Sequence, residues 1–289
     1  MRIALAGLAT SHPYADARVL ARHAELAVWE PDPERLARFT AEHPAATVCA
    51  GLPELLDTAP DGVVLTVPTP LVAGALEPIL ELGVPVYVNK PAAATREQLL
   101  ALDRLRPGEH VLTGSVLRFA PAFRALRVDP AEVLAVRVTV RHDVGQWARG
   151  HNPWQDAPEE GGGTLVTMGL HGVELLVALL GPDARLIGAG GAVRGYDTLR
   201  SEDTGLLALQ WWGSGILGTV EILGVTDDDS YTVTVHTRKG SEEVVLHDDL
   251  GFEATVEAFL SMVGGAPSPV PWPEARAVLD LLISARESA

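Results

Sequence analysis

The sequence predicts an α/β protein of two domains. Residues 1–118 read as a doubly wound parallel sheet, and 119–289 as an α/β domain with a large, mostly antiparallel sheet. Two observations carry this. Up to about residue 120, short apolar runs alternate with helical patterns, the signature of βαβ units. Beyond Arg118, several strand-like runs follow one another without helices between them. A chain of 289 residues suits about two domains, and no repeat or low-complexity linker separates the halves.

In the first half, Arg2-Ile-Ala-Leu-Ala-Gly7 is a first strand and Pro13 to His23 a helix with proline at its start. Leu26 to Glu30 is the second strand, and Asp32-Pro33-Glu34 opens the next helix as N-cap and first turn. Gly62 to Val67 is a further strand, followed by a helix from Pro70 to Leu82 that Gly83 ends. Val84 to Lys90 is a buried parallel strand. Thr95-Arg-Glu-Gln98 has capping-box spacing and starts a helix that stops before Pro107. Val111 to Gly114 completes the sheet.

In the second half, Val133 to Arg141, Leu206 to Trp212, Ile216 to Val225, Tyr231 to Thr237 and Glu243 to His247 are strands. Thr164 to Leu180, Phe252 to Val263 and Pro273 to Arg286 are helices. Ile216, Val220 and Ile222 share one strand face, and Leu217, Leu223 and Val225 the other. A sheet apolar on both faces must be covered twice, which implies helices on one side and a second subunit on the other. A homodimer or homotetramer through this sheet is the expectation.

The 38 acidic residues outnumber 22 basic ones, for a net charge of −16. No basic run interrupts this balance, so nucleic acid and anionic membranes are unsuited as partners. Cys49 is the single cysteine, which excludes a disulfide within the chain. The nine histidines show no metal-ligand spacing. With no leader pattern and no membrane-spanning run, the expectation is a cytoplasmic protein that binds a small molecule.

Only two of the 22 basic residues are lysine, Lys90 and Lys239. Lys90 ends a parallel strand, where open α/β sheets place ligand chemistry. Its compact ammonium, movable pKa and three rotatable donors set it apart from arginine. After the first strand, Gly7-Leu-Ala-Thr-Ser-His12 occupies the place of a dinucleotide G-x-G-x-x-G turn. Gly7 fits; Ala9 and His12 replace the second and third glycines, with Thr10 and Ser11 between them. Glu30 stands about 20 residues on, where a carboxylate accepts from a ribose 2′-hydroxyl. That favours NAD over NADP. In Gly161 to Glu174, a glycine run precedes a helix on which Thr167, His171 and Glu174 share one face. Arg149, His151 and Trp154 lie just ahead of it.

Together these segments resemble the Gfo/Idh/MocA oxidoreductases, NAD(P)-dependent sugar and polyol dehydrogenases, over essentially the whole chain. Asn89-Lys90-Pro91 is similar to the family's E-K-P, and Val67-Pro68-Thr69 to its T-P-N. Arg118-Phe119-Ala120-Pro121 matches its R-F-x-P, and Gly161 to Glu174 its G-G-G-x-L-x-D-x-G-x-H-x-x-D helix. The resemblance implies a Rossmann domain followed by a substrate and oligomerisation domain. It places NAD along Gly7 to His12, Glu30, Pro68, Thr69, Asn89 and Lys90. It gives Lys90 the reacting oxygen, His171 its proton, and Thr167 the place of the family's aspartate. Substrate would meet Arg118, His151, Trp154 and Glu174. Ala9, His12, Asn89 and Thr167 depart from the pattern. They leave two alternatives to a dehydrogenase: a degenerate member that binds without turnover, and a redox-assisted lyase or glycosidase.

Overall fold

The computed structural model describes Met1 to Ala289. Six strands form the first sheet: β1 (Arg2–Ala6), β2 (Glu25–Trp29), β3 (Thr47–Val48), β4 (Gly62–Leu65), β5 (Val86–Val88) and β6 (Val111–Thr113). Their order is β3-β2-β1-β4-β5-β6, parallel throughout. Helices cover both faces, so β1 and β4 are buried almost from end to end. Helix starts follow the local code. Asp32 accepts from the Glu34 and Arg35 amides at 2.9 and 3.0 Å. Thr95 and Gln98 form the reciprocal capping box. β3 escapes the sequence pattern because it is two residues long and both are exposed.

The second sheet comprises β7 (Val133–Arg141), β8 (Ala184–Ala192), β9 (Thr204–Trp211), β10 (Leu217–Leu223), β11 (Ser230–Thr237) and β12 (Gly240–Leu246). Its order is β12-β11-β7-β10-β9-β8, antiparallel except where β7 meets β10. β8 is an edge strand with three glycines and little burial, which hid it from the alternation rule.

The helix expected over Thr164 to Leu180 is two, Gly163–Thr167 and Gly169–Leu180, hinged at Met168. Gly169 packs on Ile222 and Leu282, and Gly172 sits directly on Val220. A side chain at either position would hold the helix off the sheet. Contrary to the sequence expectation, Gly163–Leu180 is long and apolar enough to cross a membrane. It is instead a core element, with 83% of the run buried in the fold.

The closing helices bind the two sheets to each other. In Phe252–Val263, the residues Val256, Phe259 and Met262 join Ile3 and Leu5 in the core of the first sheet. Trp272–Ser288 lies against the second sheet and reaches the first domain at the helix Arg96–Leu105, where Arg276 is 3.0 Å from Asp103. Residue 118 therefore divides the sheets but not the helices. On the second sheet's inner face Val220 and Ile222 are fully buried, whereas Leu206 and Leu217 on the outer face are 49% and 46% exposed.

Asp16 lies in the helix His12–Leu20 with neither carboxylate oxygen bonded. Burial raises its pKa to about 8. The folded chain thus holds a proton that the unfolded chain has lost between pH 3.8 and about 8. This contribution to stability is lost as pH rises through that window and is flat on either side. Asp16→Asn should melt near wild type at pH 4 and above it at pH 8.5, a gap on the order of 5 kcal/mol by linkage. Equal melting temperatures at pH 8.5, read by circular dichroism, would contradict this.

Candidate active site

The winding of the first sheet reverses between β1 and β4, and ligands of such sheets bind at the strands' carboxyl ends there. A cavity of about 670 Å³ occupies this position. The turn after β1, the end of β5, the loop that follows β7, and Tyr231 of β11 surround it.

Gly7 has φ +87°, and a Cβ there would lie 2.5 Å from the Thr66 carbonyl oxygen, so glycine is required where β1 turns beside β4. Leu8 N donates to Glu30 Oε2 at 2.5 Å, and Asp32 N to Oε1 at 2.9 Å. The Glu30 side chain is 2% exposed. Both oxygens hold backbone, and Glu30, expected at the ribose, braces the turn and is not among the residues that line the cavity. Pro68 and Thr69 are likewise behind the wall, with Thr69 Oγ1 donating to the Pro91 carbonyl at 3.0 Å.

Ala9, Thr10, Ser11, His12, Asn89 and Lys90 do form the wall. The helix that begins at His12 has no cap from Ser11, but the His12 amide donates to Thr10 Oγ1 at 3.4 Å and Pro13 has no N–H, so few of its first N–H groups are open to a ligand. Asn89 Nδ2 donates to Thr10 Oγ1 at 3.0 Å, while its Oδ1 is buried without a donor. His12 Nδ1 is also buried and unpartnered. Burial first, then Lys90 and His142, lower the His12 pKa to about 3, which keeps it neutral. These unpaired groups fit a ligand with hydroxyl and amide functions along this wall.

Lys90 is 8% exposed and donates to the Thr167 carbonyl at 3.2 Å. Burial lowers its pKa to about 8. The Thr167 hydroxyl donates away from the cavity, to the Gly161 carbonyl at 3.2 Å. Of Thr167, expected as a catalytic residue, it is the backbone carbonyl that meets Lys90, while the side chain is bonded elsewhere. His171 faces the same cavity, with Nδ1 2.7 Å from Ser115 Oγ and its ring 5.3 Å from that of Tyr231. Burial, with Lys90, His142 and His12 nearby, holds its pKa well below the usual value.

Behind it runs a network that the motifs did not reveal. The Tyr231 hydroxyl is 3.0 Å from His142 Nδ1, which is 3.1 Å from Asp229 Oδ2. The His142 hydrogen bond, above all, lowers the Asp229 pKa. No local spacing announces these three, since β7 and β11 bring together residues about 90 positions apart.

Two further expectations are corrected. Arg118 is locked between Glu174, at 2.9 Å, and Glu274, and neither Arg118 nor Glu174 reaches the cavity. Burial raises the Glu174 pKa to about 7 against the pull of Arg118. Trp154 also lies outside the lining, whereas Arg149 and His151 are part of it. No group of three or more His, Cys, Asp or Glu side chains is placed to hold a metal ion.

Residues 131–243 match the model of the GFO/IDH/MocA C-terminal domain, in agreement with the family resemblance of the motifs. A curated relative is the myo-inositol dehydrogenase Hyg17 of Streptomyces leeuwenhoekii, 26% identical over 290 residues, covering 89% of this chain and 87% of its own. Among solved structures, a myo-inositol dehydrogenase from Corynebacterium glutamicum superposes with a TM-score of 0.81 at 18% identity, covering 100% of this chain and 96% of its own. The WlbA dehydrogenase from Bordetella pertussis, in complex with NADH and UDP-GlcNAcA, gives 0.79 at 22% identity, covering 100% and 95%. These likenesses establish the two-sheet fold.

Proposed function

We propose that this protein is an NAD-dependent oxidoreductase acting on a CH–OH group of a sugar, polyol or related hydroxy compound. One observation carries the reading. Lys90, just past the end of β5, and His171, on the helix Gly169–Leu180, both line the cavity where the turn after β1 also arrives. The relatives named as inositol dehydrogenases, and the NADH held by WlbA, support the same chemistry. Bound NAD would accept or return the hydride. Lys90, oriented by the Thr167 carbonyl, would hold the reacting oxygen by a charge-assisted hydrogen bond. His171, neutral at pH 7, would take the hydroxyl proton as general base, its ring fixed by Ser115 and Tyr231.

NADH should bind in preference to NADPH. Two arginines line the cavity near the end of β2, and both are already engaged. Arg35 is 3.6 Å from Glu30, and Arg38 is 3.9 Å from Glu42 and stacked on Tyr14. Titration of the nicotinamide fluorescence tests this. Tighter NADPH would assign these arginines to a 2′-phosphate, and no binding of either at millimolar concentration would leave a ligand-binding protein without redox turnover. We also propose a homodimer or homotetramer through the outer face of the second sheet, where Leu206, Leu217 and Val245 are exposed. Light scattering at micromolar concentration should give at least twice the mass of one chain; a monomer would refute it.

A further inference from the structure

The charges around the cavity run against those of the chain. Acidic residues outnumber basic ones 38 to 22 overall. Among the cavity's lining residues, four are Arg or Lys, four are His, and Asp229 is the single acid. Asp229 is itself taken up by His142 at 3.1 Å. The cationic groups divide by their partners. Arg35 and Arg38 lie toward β2 and have carboxylate partners within 4.0 Å. Lys90, buried just after β5, and Arg149, exposed on the loop that follows β7, have none within that distance.

Resting on the dehydrogenase reading, we propose that the substrate is an acidic sugar, its carboxylate or phosphate held by Arg149 with His151 and His142 beside it. A neutral polyol would leave the exposed Arg149 at the cavity paired with water alone. An anion there completes the pairing and leaves Lys90 free for the reacting oxygen. The loop that carries Arg149 is anchored. His151 N donates to the Gln146 carbonyl at 3.0 Å, and Trp147 Nε1 to Gln155 Oε1 at 3.2 Å. Downstream, Asp156 accepts from the Arg200 and Ser201 amides at 2.9 and 3.0 Å. The guanidinium is therefore presented from a fixed frame, and its planar fork suits either oxyanion.

The test uses the full chain saturated with NAD, after NADH binding has been verified; a failure there sinks the dehydrogenase reading itself. Reduction of NAD is then followed with myo-inositol and glucose as neutral probes. Glucuronate and UDP-N-acetylglucosaminuronate serve as carboxylate probes, and glucose 6-phosphate as a phosphate probe. At least one acidic probe should exceed its neutral counterpart tenfold or more in kcat/KM, and the class that does so identifies the oxyanion. Arg149→Gln should raise KM for that probe about tenfold to hundredfold, the range of one charge-assisted contact, with NADH affinity unchanged. Calorimetric binding to the NADH complex serves where no probe turns over. Neutral probes that equal or exceed the acidic ones, Arg149→Gln with the same discrimination as wild type, or no acidic probe binding at 10 mM would each overturn the proposal.

Discussion

Lys90→Ala is expected to lower kcat by about 10²–10³, the usual cost of removing one preorganised donor to a reacting oxygen, while NADH affinity stays within about twofold. A lysine that is 8% exposed, with no carboxylate beside it, is held only by the Thr167 carbonyl. Burial that lowers its pKa to about 8 is unfavourable to the folded state and is retained where the ammonium has work to do. Lys90→Arg should fail similarly, because a guanidinium is too broad to replace a compact donor at one oxygen. The ammonium is the active form, so wild-type turnover should fall as pH rises through about 8. Single-turnover kinetics of both variants check this; unchanged turnover in Lys90→Ala would remove the chemistry from this residue.

Much of the fold was legible because its signals are local. The caps at Asp32 and Thr95, the apolar runs of β1, β4 and β5, and the alternation of β10 each lie within one segment. The inner and outer faces assigned to Ile216 through Val225 are those observed, with Val220 buried and Leu217 exposed. Short or glycine-rich strands at sheet edges, β3 and β8, gave no such signal.

The site was legible in part. Lys90 and His171 stood out as chemical types at positions that strand and helix ends make accessible, and both line the cavity. Side-chain direction was not readable. Glu30, Thr167, Arg118 and Glu174 sit at the expected backbone positions but turn inward to hold the protein together. A carboxylate or hydroxyl near a site has backbone donors and acceptors competing for it, and spacing alone does not say which partner wins. His142, Asp229 and Tyr231 belong to the complementary case, since only strand pairing brings them together.

His171→Ala should cost about 10²–10⁴ in kcat, the contribution of a positioned acid–base group. Its pKa lies well below 6.5 through burial and the neighbouring Lys90, His142 and His12, so the imidazole is already a base at neutral pH. Wild-type kcat should therefore be flat from below pH 6.5 up to the fall set by Lys90, and the acid limb should vanish in His171→Ala. Ser115→Ala removes the 2.7 Å partner of Nδ1 and should lower kcat by a smaller factor, roughly tenfold. Thr167→Asp should not rescue any of this. Its side chain would face the Gly161 carbonyl in a fully buried place, and a carboxylate there meets an acceptor rather than a donor. The expected result is a lower melting temperature without a gain in rate. A rise in kcat would show that the side chain turns into the cavity after all, and that position 167 carries catalysis through its side chain.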